Sequence, residues 1–130
     1  MNISSSILYI LVQKLPNNEE IVRSTLDGTM FIILLNIGLV TPLCEEIIFR
    51  LNFKNLFKNK FIFSIVTGLI FALMHLVVSS SLIELIFIIP YFIMGFTLGY
   101  IYSDSNNLMN SILVHMINNV GTVLLLMVAS

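Results

Sequence analysis

Tryptophan is missing from this chain, and cysteine occurs once, as Cys44. A lone thiol excludes an internal disulfide and any zinc site built from several cysteines. No basic residue within a helical turn of Cys44 could activate it as a nucleophile. Without tryptophan, the aromatic belts of a membrane protein would fall to Tyr9, Tyr91, Tyr100 and Tyr102. Charge is scarce as well: six Lys and Arg against seven Asp and Glu give a formal net charge of −1. Such a balance offers no basic patch, which argues against nucleic acid as a partner.

What the chain has instead is apolar length. Hydrophobic residues make up 58% of its 130 positions, and uncharged runs cover residues 61–83, 85–103 and 105–130. Each approaches the roughly 20 residues that span a bilayer as a helix. A fourth run, 28–44, is shorter but can continue through Ile47, Ile48 and Phe49. The expected fold is an all-α membrane protein, a bundle of four core transmembrane helices preceded by a short N-terminal interfacial helix. Residues 1–28 form that amphipathic segment, because the apolar stretch 7–12 is too short to cross and Pro16-Asn17-Asn18 breaks it. Residues 29–130 form the core. Arg50, Lys54, Lys58 and Lys60 crowd the connection between the first two spans. By the positive-inside rule that loop is cytoplasmic in a multi-pass cell-membrane protein whose other partner is the lipid bilayer.

Chemistry concentrates where the apolar pattern is broken. Thr41-Pro42-Leu43-Cys44-Glu45-Glu46-Ile47-Ile48-Phe49-Arg50 places two carboxylates and a guanidinium at the end of the first run. Charges at hydrocarbon depth are expensive unless they face a bundle interior, a wet cavity or one another. Glu46 and Arg50 are four apart, acid before base, so they share a helix face and can neutralise each other. Glu45 points about 100° away, with Phe49 one turn on as an apolar wall. Pro42 removes a backbone donor and frees a carbonyl beside the carboxylates. The plainer alternative is that these charges mark the exit of a helix from the bilayer.

The second run carries Phe71-Ala72-Leu73-Met74-His75, and the last carries Ser111, His115 and Asn119 at every fourth position. A polar stripe of that kind must face protein or water. Packing hydrogen bonds between helices would be the structural explanation for both. In the third run, Pro90 predicts a mid-span bend, and Gly95 and Gly99 predict close approach of a neighbouring helix.

Taken in order, Glu45-Glu46-Ile47-Ile48-Phe49-Arg50, Phe71-Ala72-Leu73-Met74-His75 and His115-Met116-Ile117-Asn118-Asn119 resemble the EExxxR, FxxxH and HxxxN signatures of the CPBP family. That family holds the type II CAAX prenyl proteases and the bacterial Abi proteins linked to bacteriocin self-immunity. The resemblance covers about residues 29–125. It implies a glutamate-dependent intramembrane endopeptidase acting on a membrane-associated peptide or protein substrate, with its site facing the cytoplasm. Carried over by position, Glu45 would activate water with His75, His115 and Asn119 would stabilise the oxyanion, and Glu46, Arg50 and Phe71 would support them.

Peptide hydrolysis needs such a base and such donors. Two histidines and a glutamate would equally supply a three-ligand, one-water zinc set, so zinc as a cofactor stays open beside a metal-free mechanism. Full-length members usually carry more helices, so a partner or a second copy, a homo-oligomer, is one way to enclose the substrate. The competing function is a non-catalytic bacteriocin self-immunity or scaffold protein with the same fold.

Overall fold

The computed structural model describes residues 30–76 and 82–128; the expected interfacial segment at 1–28 and the turn at Ser79–Ser81 lie outside them. Among the described residues every long element is a helix and no strand occurs.

The first helix, α1, covers residues 30–51 and is not uniform. Two α-helical stretches, Met30–Leu35 and Thr41–Glu46, are each followed by a π-helical one, Asn36–Val40 and Ile47–Leu51. In the first π stretch the Thr41 amide reaches back to the Asn36 carbonyl, five residues away. The ordinary partner of that amide would be the Ile37 carbonyl, four back, which is thereby released. The next amide able to serve Ile37 in the π pattern would come from residue 42, a proline without an N–H. Both usual helical donors to the Ile37 oxygen are thus gone.

A 3₁₀ turn, Lys54–Leu56, leads to α2 at Lys60–Leu76. Asn59 caps α2, its Oδ1 accepting from the amides of Phe61 at 2.8 Å and Ile62 at 3.2 Å. A second 3₁₀ stretch, Leu82–Phe87, becomes α3 at Ile88–Ser105. Pro90 therefore falls in the first turn of the α-helix rather than in mid-span, where a missing N–H costs little. The winding changes from 3₁₀ to α two residues before Pro90. Asn106 ends α3 in the left-handed conformation with φ 52°, and Asn107 caps α4, Leu108–Val128, through the Met109 amide at 3.0 Å.

Among the described residues, three of the four helices are long and apolar enough to cross a membrane: those at Ile32–Leu56, Leu85–Ser105 and Leu108–Leu125. The fourth, α2, is equally apolar, but its described part is 17 residues long. This is an all-α membrane protein, as expected.

Helices α2 and α3 make the closest contact in the bundle. A methyl group placed on Gly68 would lie 2.7 Å from the Phe96 backbone nitrogen. One on Gly95 would meet the Gly68 Cα at 3.0 Å, and one on Gly99 the Thr67 hydroxyl at 2.8 Å. Lipid tails are as apolar as leucine, so helices in a bilayer associate through such close backbone packing rather than through hydrophobic exclusion. Gly38 brings α1 against Val120 of α4 in the same way.

At one end of the bundle, Lys60 donates to Asp104 at 2.6 Å and Lys54 sits 4.8 Å over the Tyr102 ring. The loop between α1 and α2 and the loop between α3 and α4 therefore share one side. Tyr102 and Tyr91 are buried rather than set in an interfacial belt. Tyr91 belongs to the aromatic core formed with Phe49, Phe71, Ala72 and Phe87.

Candidate active site

The acidic pair lies where α1, α2 and α4 meet. Glu46 and Arg50 are fully buried, at 0% exposure each. Arg50 Nε donates to Glu46 Oε2 at 3.1 Å, Nη1 reaches the Thr67 carbonyl at 3.5 Å, and the guanidinium lies 5.6 Å over the Phe71 ring. Stripping two charges of water costs several kcal/mol per ion unless other groups satisfy them. Here that other group is His115. Its Nδ1 is 3.1 Å from the second Glu46 oxygen, and its Nε2 is 3.5 Å from Glu45 Oε2. Ser111, also buried, lies one turn before His115 on the same stripe and beside Glu46.

His115 thus spans both carboxylates, one with each ring nitrogen. Ionised carboxylates only accept hydrogen bonds, so Nδ1 donates to Glu46, while Nε2 faces Glu45 at 3.5 Å without a hydrogen bond. With His115 doubly protonated, Glu45, Glu46, Arg50 and His115 sum to zero charge. Moving the Nε2 proton across to Glu45 keeps the same sum. With that proton on either group the four side chains balance, the arrangement that costs least at membrane depth.

His75 occupies a separate place beside this cluster. Its Nδ1 lies 2.8 Å from the Phe71 carbonyl, a group that can only accept, so Nδ1 carries a proton and donates. In the neutral ring Nε2 is then a bare acceptor. The imidazole is held between Phe71, with ring centres 4.3 Å apart, and Tyr91, stacked at 4.7 Å. Phe71 also packs edge-on to His115 at 5.7 Å and to Phe49 at 5.6 Å. One fully buried phenyl ring therefore touches both histidines and the guanidinium.

Asn119 projects from α4 toward α1, its Nδ2 donating to the Ile37 carbonyl at 3.0 Å. Asn118 turns the other way, to the Met94 sulfur at 3.5 Å and to Asn119 Oδ1 at 3.3 Å. Glu45, Glu46, Arg50, Phe71 and His115 come together; His75 joins them through Phe71 and Asn119 through α1. Sequence reasoning missed Thr67, whose carbonyl meets Arg50, and assigned Tyr91 to an interfacial belt rather than to the stack on His75.

Two buried side-chain atoms among the described residues lack a hydrogen-bond partner, Glu45 Oε2 and Arg50 Nη2. The 3.5 Å approach of His115 Nε2 to Glu45 does not meet hydrogen-bond geometry. Unsatisfied buried atoms of this kind ask for an explanation such as a catalytic role or a bound water. As for zinc, no three His, Cys, Asp or Glu side chains among the described residues are grouped to hold a metal ion. His75 Nδ1 is committed to a backbone carbonyl and both His115 nitrogens face carboxylates, so the three-ligand zinc set is not assembled.

A family model described as type II CAAX prenyl endopeptidase Rce1-like matches residues 27–121. The chain is also similar to UPF0177 protein YxdF of Lactococcus lactis subsp. lactis (strain IL1403), at 32% identity over 79 residues. That alignment covers 61% of this chain and 41% of the relative; the chain therefore spans less than half of the relative's length. No solved structure matches.

Proposed function

The chain belongs to the Rce1-like family of type II CAAX prenyl endopeptidases, and on that premise we propose that it hydrolyses a peptide bond of a membrane-associated substrate with Glu45 as the base. The observation that carries this reading is the Glu45 carboxylate itself. It is mostly buried, has an oxygen with no hydrogen-bond partner, and faces a fixed imidazole nitrogen at 3.5 Å.

In the reactive state Glu45 is ionised and takes a proton from water. The resulting hydroxide adds to the scissile carbonyl. The bare Nε2 of His75 accepts a hydrogen bond from that water. The developing oxyanion is met by His115 Nε2–H and by the second amide hydrogen of Asn119, the first being given to Ile37. Glu45 then returns its proton to the leaving amine. Glu46 and Arg50 touch no reacting atom; Glu46 holds His115 by Nδ1, and Arg50 holds Glu46, which keeps the ring aimed.

The reading extends to placement. Residues 29–130 are the catalytic core, and the site opens on the side of the basic loop, the cytoplasmic face. The pairing of Lys60 with Asp104 at 2.6 Å, between the two loops, is consistent with an alternating topology.

The test is Glu45→Gln in the purified full chain, reconstituted in liposomes with a fluorogenic prenylated CAAX peptide and its unprenylated counterpart. Cleavage should vanish while helical content and thermal midpoint stay unchanged. Full activity in Glu45→Gln would rule out the assigned base.

A further inference from the structure

We propose that Asn119 is a positioning residue that clamps the π stretch of α1, replacing the backbone donor that Pro42 cannot supply and so setting where Glu45 and Glu46 point. This rests on the peptidase reading for its catalytic consequence, but not for the clamp itself.

Three observations carry it. The Thr41 amide is diverted to Asn36, five residues back. Residue 42, the next donor in the π pattern, is a proline at the start of the Thr41–Glu46 α stretch. The Asn119 amide from α4 lies 3.0 Å from the orphaned Ile37 carbonyl, across 82 residues of chain. A part-buried carbonyl on a membrane helix has little water to turn to, so leaving it without a donor is destabilising. Asn119 supplies the missing bond, and it does so one helical turn after His115, whose ring spans the two glutamates. A π insertion rotates everything that follows it by roughly one residue, so the wedge at 36–40 sets the facing of Glu45 and Glu46. Gly38 lies inside that wedge with Val120 pressed where its side chain would be, so the two helices can come no closer and the clamp has a fixed length.

The experiment is a double-mutant cycle on the full chain with Asn119→Leu and Pro42→Ala, read by thermal midpoint in detergent micelles and by kcat and KM on the CAAX peptide. Leucine matches asparagine in size and donates nothing; alanine at 42 restores an N–H that can reach Ile37. Alone, Asn119→Leu should lower the midpoint by about 3–8 °C and kcat by roughly ten- to a hundredfold, with KM little changed. In the Pro42→Ala background the midpoint loss should shrink below about 2 °C and part of the kcat loss should return. Equal kcat losses in the two backgrounds would reduce Asn119 to an oxyanion donor and overturn the positioning role. Equal midpoint losses would overturn the clamp. Should Asn119→Leu fail to accumulate, Asn119→Ser, too short to reach the carbonyl, enters the same cycle. If the unsubstituted chain cleaves neither peptide, the midpoint cycle alone still decides the clamp, and the failure then belongs to the peptidase reading.

Discussion

Replacing Arg50 by methionine removes one charge from a cluster of four and leaves Glu46 buried at 0% exposure. Removing one partner of a buried ion pair costs about 3–5 kcal/mol, because the survivor stays uncompensated. The other bonds lost with Arg50 add little: the Thr67 carbonyl contact is long, at 3.5 Å, and the Phe71 contact is a single cation–π pair. Methionine fills the same volume with apolar atoms, so no cavity offsets the comparison. For 130 residues, an unfolding entropy of about 2.1 cal/mol/K per residue turns this cost into a midpoint drop of about 10–20 °C. The measurement is far-UV circular dichroism on heating in micelles, since a chain without tryptophan gives weak intrinsic fluorescence. The control is the double variant Glu46→Gln with Arg50→Met, which leaves only Glu45 and His115 as a balanced pair and should recover most of the loss. An Arg50→Met midpoint within about 2 °C of the parent, or a double variant no better than the single one, would refute the idea of a cluster held together by zero net charge.

Further expectations follow from packing. Gly68→Ala should lower stability by about 1–3 kcal/mol, because the new methyl would meet the Phe96 backbone at 2.7 Å. Gly121→Ala, with no atom within 4 Å of the added carbon, should instead raise the midpoint slightly through helix propensity; paired melts of the two variants check both signs. Phe71→Leu keeps most of the volume, so its stability loss should stay below about 1.5 kcal/mol. It removes the ring that both imidazoles lean on, and kcat should fall about tenfold, which steady-state kinetics on the CAAX peptide would show.

The parts of this protein that could be read from its sequence are those set by spacing along one helix. Glu46 and Arg50 face each other because they are four apart, and the Ser111, His115, Asn119 stripe turns inward for the same reason. Gly95 and Gly99 announced a close helix contact, though not that Ser64, Thr67 and Gly68 lay opposite. What depends on a second helix stayed out of reach. Pro42 signalled a freed carbonyl, but the π geometry that selects Ile37, and the reach of Asn119 to it, arise only when α1 and α4 are placed together. Tyr91 suggested an interfacial anchor because tyrosine often is one; its stacking on His75 follows from α2 lying against α3. Membrane burial also hid the boundaries, since uniform apolar sequence gives no sign of where 3₁₀ winding at Leu82–Phe87 becomes α-helix.

The neutrality of the cluster has a bearing on how the protein is made. Glu46 and His115 are 69 residues apart, so the translating ribosome delivers the carboxylates and Arg50 long before the imidazole that completes them. Until α4 arrives, α1 carries two carboxylates against a single guanidinium. The site is therefore complete only once α1 and α4 have met, and a chain arrested before α4 would hold its glutamates without the imidazole that bridges them.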